Sequence, residues 1–300
     1  MRDFVGALFR FAFCAGQPAN LRPMKTAASP GSPLPKRPMR EYISSKEKKQ
    51  EYVNQMFSII APRYDLVTSL LSYGRDQRWK RKLVDMAALE VHHNVLDLAC
   101  GTGDLTFLLA GRLTEGRVLG VDITPTMIEI ASRKKDARGA NNVAFQVADA
   151  CCLNLSADSF DRITVGYGVR NVPDIPVLLN EVYRFLKPGG RFLSLDFSKP
   201  SNSLYREAYL CYLRAVGSLL GWLLHGDADV YRYIAESLKL YPGHQGIHEM
   251  MKTAGFVETG FVTFLGGAIA INFGSKPANH RSSLDLRQTP QSDPRKGTLA

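Results

Sequence analysis

Residues 94–104, Asn-Val-Leu-Asp-Leu-Ala-Cys-Gly-Thr-Gly-Asp, decide the fold of this chain. Val95–Leu98 is a short apolar run with one acid inside it, which predicts a buried parallel strand. Cys100-Gly-Thr-Gly interrupts the run, and residues 105–110 then predict a helix. Glycines in a turn between a strand and a helix allow a ligand to approach the backbone closely. The segment therefore predicts the ligand-binding turn of an α/β domain.

The turn favours a ligand other than a pyrophosphate. Thr106 stands where the third glycine of a dinucleotide fingerprint would fall. An acid before the turn, Asp97, suits a cationic ligand better than a phosphate. A second acid, Asp122, ends the next apolar run, where such folds place the acid that binds ribose hydroxyls. Asp149 follows the third predicted strand, where a carboxylate accepts a hydrogen bond from an adenine amine and Ala150 packs beside the ring.

Apolar runs alternate with helical patterns through the middle of the chain. Predicted strands cover residues 94–98, 117–122, 143–147, 161–166 and 191–197. The alternation predicts a Rossmann-like, doubly wound sheet. Two final apolar runs, Phe256–Phe264 and Ala268–Phe273, flank Leu265-Gly-Gly and predict an antiparallel terminal hairpin. Residues 202–248, helical in pattern and rich in aromatics, predict a helical insertion before the hairpin.

Length and composition allow one large α/β domain with appendages, since the chain has 300 residues and 45% apolar content. The net charge of +10 indicates either attraction to anionic lipid or a purely solubilising role. Nucleic acid is not an expected partner, because no basic stripe with interleaved aromatics is present. The five cysteines form no C-x-x-C and have no metal-ligand spacing to histidines. We therefore expect free thiols, a reducing compartment and no metal site.

The two ends differ in composition from the centre. Residues 1–43 are rich in Pro, Ala and Ser and poor in acids, which is typical of a disordered extension without a catalytic role. They fit a transit peptide equally well, or a stretch upstream of a true start at Met24 or Met39. Residues 277–300 are polar and predict a disordered tail. The domain itself is expected over residues 44–276.

Four ordered motifs resemble the ubiquinone/menaquinone-biosynthesis C-methyltransferase family over roughly residues 50–276. They are Tyr64–Ser72 with Trp79 following, Gly-Val-Arg-Asn at 168–171, Arg184 to Gly190 with its Lys-Pro-Gly-Gly, and Asp227–Ser237. The resemblance implies the class I fold of methyltransferases that use S-adenosyl-L-methionine (SAM). It also implies an enzyme that moves a methyl group from SAM to a ring carbon of a polyprenylated quinol, foremost demethylmenaquinol to menaquinol.

Two alternatives stay open. One is methylation of a 2-methoxy-6-polyprenyl-1,4-benzoquinol in the ubiquinone pathway. The other is a non-catalytic SAM-fold scaffold in a quinone-synthesis complex, because Gly166 and Val67-Thr68 depart from the family pattern. Asp76 and Asp196 are further departures, the latter a mild one.

The chemistry requires stabilisation of a developing phenolate and removal of a ring proton. Arg170 is expected to face the quinol oxygen, since its guanidinium is always charged; alternatively it holds its own turn, for example by pairing with Asp174. Tyr64 or Asp65 is expected to position a water or act as the base. His244 and His248, in a predicted loop, are weaker candidates. The predicted cofactor residues are Asp97, Gly101, Thr102, Gly103, Asp122, Asp149 and Ala150.

The prenyl tail of such a quinol needs an apolar channel, which the aromatic insertion from Tyr209 to Leu224 could supply; packing of most of these side chains against the sheet is an equally good interpretation. Because the substrate is lipid-borne, we expect a cytoplasmic protein that is peripheral to the inner membrane face, or a matrix protein if residues 1–40 are a transit peptide. A homodimer or a quinone-biosynthesis complex is a further expected assembly.

Overall fold

The computed structural model describes residues 45–278, and the predicted extension and nearly all of the predicted tail lie outside them. Its centre is a seven-stranded sheet. The strands in chain order are β1 (Asn94–Leu98), β2 (Arg117–Asp122), β3 (Val143–Val147), β4 (Phe160–Gly166), β5 (Leu186–Phe197), β6 (Val257–Phe264) and β7 (Ile269–Ser275). Their order across the sheet is β3-β2-β1-β4-β5-β7-β6. The first five are parallel, and β7 is antiparallel to both of its neighbours. The predicted doubly wound sheet with a terminal hairpin is confirmed.

Helices cover both faces of this sheet. In chain order they are α1 (Lys46–Ile60), α2 (Tyr64–Leu71), α3 (Asp76–Met86), α4 (Asp104–Ala110), α5 (Pro125–Arg138), α6 (Ile175–Phe185), α7 (Ser203–His225), α8 (Asp229–Leu240) and α9 (Gly243–Thr253). Successive side chains of a strand point to opposite faces, so β1 contributes to two cores. Leu96 and Leu98 pack with residues of α6 and α9, whereas Val95 packs with residues of α3 and α4. This burial on both faces explains why β1 reads as a continuous apolar run.

Strand β5 is longer than predicted. It starts at Leu186, directly after α6, and Leu186 pairs with Phe160 of β4 before a shift in register. We expected a strand from residue 191 because Pro188 and two glycines disfavour sheet structure. Lys276 closes this end of the domain: its buried Nζ contacts Asp158 Oδ1 at 2.6 Å and donates to the carbonyl oxygens of Tyr183 and Leu186.

The helical insertion consists of α7 and α8, which pack on each other. The prediction that His244 and His248 lie in a loop is wrong, because both are in α9. Glycine disfavours helix interiors, but the buried side chains of Ile247 and Met251, four residues apart, pack into the sheet core and stabilise the helix. Within residues 45–278, no helix combines the length and apolar character that crossing a membrane requires.

Candidate functional site

The turn after β1 has an unusual backbone conformation. Ala99, Gly101 and Gly103 all have positive φ, at 51°, 55° and 86°. A Cβ at Gly103 would lie 2.8 Å from Phe145 Cζ, which real packing does not allow, so this glycine is required by the fold. A Cβ at Gly101 would contact only Tyr64, at 3.8 Å, among its described neighbours. Gly101 therefore leaves its backbone open on the side of a cavity.

Asp97 anchors this turn from beneath. Its carboxylate is fully buried and accepts hydrogen bonds from Thr106 Oγ1 at 2.6 Å and from Thr164 Oγ1 at 2.7 Å. Burial raises its pKa to about 6, even though both hydroxyls stabilise the charged form. These hydrogen bonds tie β1 to α4 and β4. Asp97, which was expected to attract a cationic ligand, therefore supports the glycine turn from below.

Asp122 stands at the carboxyl end of β2 and lines the cavity. Its Oδ2 accepts from the Gly101 amide at 2.9 Å, and its Oδ1 accepts from the Thr124 amide at 2.9 Å. A carboxylate offers about four acceptor positions, so each oxygen keeps capacity for a ligand hydroxyl. Burial raises the pKa of Asp122, and these backbone donors oppose that rise. The arrangement fits the ribose of the expected cofactor.

Asp149 and Ala150 complete the wall after β3. Asp149 Oδ1 accepts from the Cys151 amide at 2.8 Å, which fixes the turn and leaves Oδ2 without a partner among residues 45–278. Ala150 lies beside it on the apolar side of the cavity, together with Ala148 and Met127. A free acceptor next to an apolar wall fits an adenine ring.

The cavity has a volume of about 660 Å³ including its mouth. Five of the candidate site residues line it: Gly101, Asp122, Asp149, Ala150 and Tyr64. Sequence reasoning missed the contribution of α1, whose Gln50, Val53 and Phe57 form part of the wall. Lys49 fixes this helix by donating to the carbonyl oxygens of Arg170 and Val172, at 3.0 and 2.8 Å. Apolar residues recur at helical spacing in α1, but this periodicity carries no signal for what the helix covers.

Thr102 and Asp65 form a clamp beside the cavity rather than lining it. Thr102 Oγ1 donates to Asp65 Oδ1 at 2.6 Å, and Lys134 Nζ donates to Asp65 Oδ2 at 2.6 Å. Lys134 also contacts Asp104 Oδ1 at 3.2 Å. Both oxygens of Asp65, a catalytic candidate, therefore bind protein groups that join α2, α5 and the glycine turn.

Arg170 is buried in an ion pair. Its Nη1 donates to Asp196 Oδ1 at 2.5 Å and to the Tyr167 carbonyl oxygen at 3.0 Å, and its backbone amide donates to Asp196 Oδ2 at 3.1 Å. The guanidinium also lies over the Phe197 ring, 4.9 Å from its centroid. Arg170 thus holds the turn after β4 against the end of β5.

Tyr167 directly precedes the Gly-Val-Arg-Asn motif, but sequence reasoning did not recognise it as a site residue. Its φ of 60° turns the chain after β4, and the residue lines the cavity. The buried hydroxyl has no hydrogen-bond partner among residues 45–278. Burial raises the pKa of Tyr167 well above its ordinary value, so the hydroxyl stays protonated at neutral pH. A buried, unsatisfied donor in a site needs a partner, and a ligand oxygen meets that need.

A second cavity has a volume of about 810 Å³ including its mouth. The Tyr167 ring packs on Phe197, with 5.5 Å between centroids, and Phe197 lines this second cavity. We call the first the cofactor cavity, the second the aromatic cavity, and the Tyr167–Phe197 pair the partition. The remaining lining residues of the aromatic cavity are apolar or aromatic except for one serine: Leu71, Ser72, Tyr73, Trp79, Tyr205, Ala208, Tyr209, Tyr212, Leu213, Leu265, Ala268 and Ile269.

His244 and His248 are absent from the described linings of both cavities. His244 is buried, and its Nδ1 lies 2.8 Å from Ser198 Oγ. Its backbone amide donates to the same Ser198 oxygen at 2.9 Å. These contacts assign His244 to the packing of α9 against the end of β5.

Curated relatives match almost their whole length. The chain is 43% identical over 223 residues to "Demethylmenaquinone methyltransferase" of Thermus thermophilus, covering 74% of this chain and 100% of that protein. It is 40% identical over 233 residues to "Ubiquinone/menaquinone biosynthesis C-methyltransferase UbiE" of Cellvibrio japonicus, covering 77% of this chain and 94% of that protein.

Solved structures share the fold at low identity. A methyltransferase in complex with the Haloferax volcanii Trm112 activator has a TM-score of 0.55 at 18% identity, covering 77% of this chain and 100% of that chain. Phosphoethanolamine N-methyltransferase 2 of Haemonchus contortus, solved with SAM, has a TM-score of 0.50 at 16% identity, covering 67% and 52%.

Three findings indicate the same cofactor: the cofactor cavity fits a nucleoside, the fold is that of class I methyltransferases, and the relatives are methyltransferases. The cofactor is SAM, and the protein is a SAM-dependent methyltransferase. A family profile matches residues 44–276. The chain belongs to the ubiE/COQ5 methyltransferase family.

Proposed function

We propose that this protein transfers a methyl group from SAM to a ring carbon of a polyprenylated quinol, foremost demethylmenaquinol to give menaquinol. The names of the relatives from Thermus and Cellvibrio support quinone C-methylation. The observation that carries the proposal is the aromatic cavity beside the cofactor cavity, since a quinol with a prenyl tail needs a large apolar site that reaches the methyl donor.

The cofactor cavity would hold SAM through few polar contacts. We assign the ribose hydroxyls to Asp122, the adenine amine to Asp149 and the adenine ring to Ala150 and its apolar neighbours. Gly101 allows the cofactor to lie against the backbone. SAM, when bound, supplies an electrophilic sulfonium methyl group.

We propose that the partition supplies a hydrogen-bond donor to the quinol ring. A ring carbon becomes nucleophilic when the neighbouring hydroxyl loses its proton, so the site must stabilise the resulting oxyanion. We assign this role to the Tyr167 hydroxyl, which is protonated, buried and without a partner among the described residues. Holding donor and acceptor in contact supplies a further large part of the rate enhancement.

The three residues expected to be catalytic have separate proposed roles. Arg170, paired with Asp196, adds positive charge behind the partition and fixes the direction of Tyr167. Tyr64 lies over Gly101 on the wall of the cofactor cavity and is proposed to contact the reacting groups. Asp65 is proposed to hold the glycine turn through Thr102.

A second candidate substrate is a polyprenylated benzoquinol of the ubiquinone pathway, because the Cellvibrio relative is named for both pathways. A homodimer or a quinone-biosynthesis complex is a further proposed assembly. We also propose peripheral contact with a membrane, since either substrate is carried in lipid.

Turnover of purified protein with SAM and two quinols tests the proposal. We expect demethylmenaquinol to gain one methyl group by mass spectrometry, at a higher kcat/KM than a 2-methoxy-6-prenylbenzoquinol. Faster turnover of the benzoquinol would reassign the substrate. Absence of SAM binding by calorimetry, together with no methylation of either quinol, would favour the non-catalytic scaffold.

A further inference from the structure

An apolar stripe runs along the solvent side of α7. Its exposed residues are spaced by three or four positions and none is charged: Leu204, Ala208, Cys211, Ala215, Leu219 and Trp222. Leu204, Leu219 and Trp222 are 80%, 55% and 63% exposed. Eighteen residues of helix extend roughly 27 Å. A surface helix normally presents polar residues to water, so this length of apolar surface indicates a partner.

The neighbouring helix α2 continues the stripe. Leu66 and Leu70 of α2 are exposed and four residues apart, and Tyr73, two residues beyond the helix, is exposed as well. The Tyr73 ring stacks on Tyr212 of α7 with 6.2 Å between centroids, while Arg63, before α2, donates to the carbonyl oxygen of Leu224 at the end of α7. The two helices therefore lie side by side and antiparallel. We define the apolar face as the α7 stripe together with Leu66, Leu70 and Tyr73.

The aromatic cavity reaches this face. Tyr73, Tyr205 and Leu265 line the cavity and are also 71%, 41% and 42% exposed. Ala208 belongs to both the cavity lining and the α7 stripe. A ligand that entered the cavity from this face would pass between side chains that are apolar or amphipathic.

Basic residues flank the apolar face. Arg63 and Arg75 bracket α2 and are exposed, and Arg206 lies near the start of α7. Three acids are also nearby: Glu207 on α7, Asp65 on α2, which binds Lys134, and Asp227, whose amide donates to the Gly221 carbonyl oxygen in the last turn of α7. Apolar side chains between arginines match a bilayer surface with anionic headgroups. A second copy docked face to face would bring like charges together, which disfavours self-association.

The apolar face is continuous with the aromatic cavity and is flanked by arginines. We therefore infer that this face inserts into the surface of an anionic membrane and admits the prenylated substrate directly from lipid. The inference rests on the proposed function for its substrate, but the docking itself requires neither quinol nor SAM. It assigns the face that makes the peripheral contact, with Leu219 and Trp222 entering the acyl boundary.

Sedimentation with vesicles tests the docking face. The double variant Leu219→Glu/Trp222→Glu should bind vesicles of phosphatidylcholine with phosphatidylglycerol about tenfold or more weakly than wild type, because two buried apolar contacts are replaced by charges. The matched control, Val91→Glu, changes an exposed valine before β1, away from the face, and should bind like wild type. If the double variant loses its folded circular-dichroism signal, Leu219→Ser/Trp222→Ser replaces it. Equal vesicle binding by wild type and a folded double variant would overturn the inference.

Tryptophan fluorescence gives an independent readout, because the chain has two tryptophans, Trp79 and Trp222. Brominated lipids should quench wild type, and Trp222→Leu, which keeps an apolar side chain, should still sediment but lose most of the quenching. Methylation of a short-prenyl, water-soluble quinol should be the same in wild type and the double variant, which separates failure of docking from failure of the proposed reaction. A wild-type dimer that the double variant converts to a monomer, with no vesicle binding by either, would overturn the inference in favour of a second copy.

Discussion

The two cavities are adjacent, but they are built from different parts of the chain. The cofactor cavity is shaped mainly by backbone: positive φ angles in the glycine turn, and carboxylates that accept amides. The aromatic cavity is shaped by side chains from α2, α3, β5, α7 and the turn before β7. The comparison indicates that cofactor binding depends on a local motif, whereas substrate choice depends on elements that meet only in the folded domain.

The largest expected effect follows removal of the residue that supports the partition between the cavities. Arg170→Ala leaves Asp196 buried without its cation, and breaking a buried pair typically costs about 3–5 kcal/mol of unfolding free energy. Urea unfolding measures this loss. If Arg170 instead faces the quinol oxygen, stability would be nearly unchanged and kcat would fall by about 10²–10³. Arg170→Lys keeps the positive charge but lacks the planar guanidinium. We therefore expect lysine to restore little of the lost stability or of the lost kcat.

The partition itself is tested by Tyr167→Phe. Loss of a donor aimed at developing charge should lower kcat by about 10²-fold, while SAM affinity stays within about twofold of wild type. The unfolding free energy should not fall, because the hydroxyl has no partner among residues 45–278. Wild-type kcat in this variant would remove Tyr167 from the mechanism.

Asp97, which supports the glycine turn of the cofactor cavity, should make the stability of the protein depend on pH. Asp97 has its pKa raised from 3.8 to about 6, so its folded form holds a proton that the unfolded chain releases. Stability relative to Asp97→Asn should therefore fall by up to about 3 kcal/mol as pH rises from about 4 to about 6.5. Urea unfolding of both proteins across that range provides the measurement. A difference that does not vary with pH would show that Asp97 keeps an ordinary pKa.

Asp122→Ala should act on the cofactor cavity alone. Loss of hydrogen bonds to a charged acceptor is worth about 1.5–3 kcal/mol each, so SAM affinity should fall at least about tenfold. Isothermal titration calorimetry measures this, and binding of a prenylquinol to the aromatic cavity serves as the control. Unchanged SAM affinity would mean that the cofactor lies elsewhere.

The smallest effect is expected at the clamp. Thr102→Val removes one hydrogen bond to Asp65, a residue that is partly exposed, so SAM affinity should fall only a few-fold, equivalent to about 1 kcal/mol. A loss as large as that of Asp122→Ala would show that the hydroxyl contacts the cofactor directly.

The sequence made the sheet and the glycine turn predictable for a physical reason. β1, the turn and α4 are contiguous in sequence. Because β1 is buried on both faces, its residues form a continuous apolar run that is visible within one short segment. Asp122 was predictable because it ends a strand at a known edge of the sheet. These features depend on local backbone geometry, which short segments encode.

The aromatic cavity and the partners of charged residues were not predictable in this way. Tyr167 follows β4 whereas Phe197 ends β5, and the pairing of Arg170 with Asp196 spans 26 residues. The spacing of apolar residues in a sequence does not indicate which side chains contact each other across a sheet. The helix that carries His244 was missed because tertiary burial of Ile247 and Met251 outweighs the local preference of its glycines.

The position of β7 has a consequence for synthesis of the chain. This strand is made last, yet it lies between β5 and β6, so the edge of β5 has no antiparallel neighbour until residue 275 has been translated. At about 5–20 residues per second, the parallel half of the sheet leaves the ribosome several seconds earlier, with one long apolar strand edge exposed. A nascent chain arrested before β7 should therefore bind chaperones that recognise unpaired strands, and release them once the hairpin is complete.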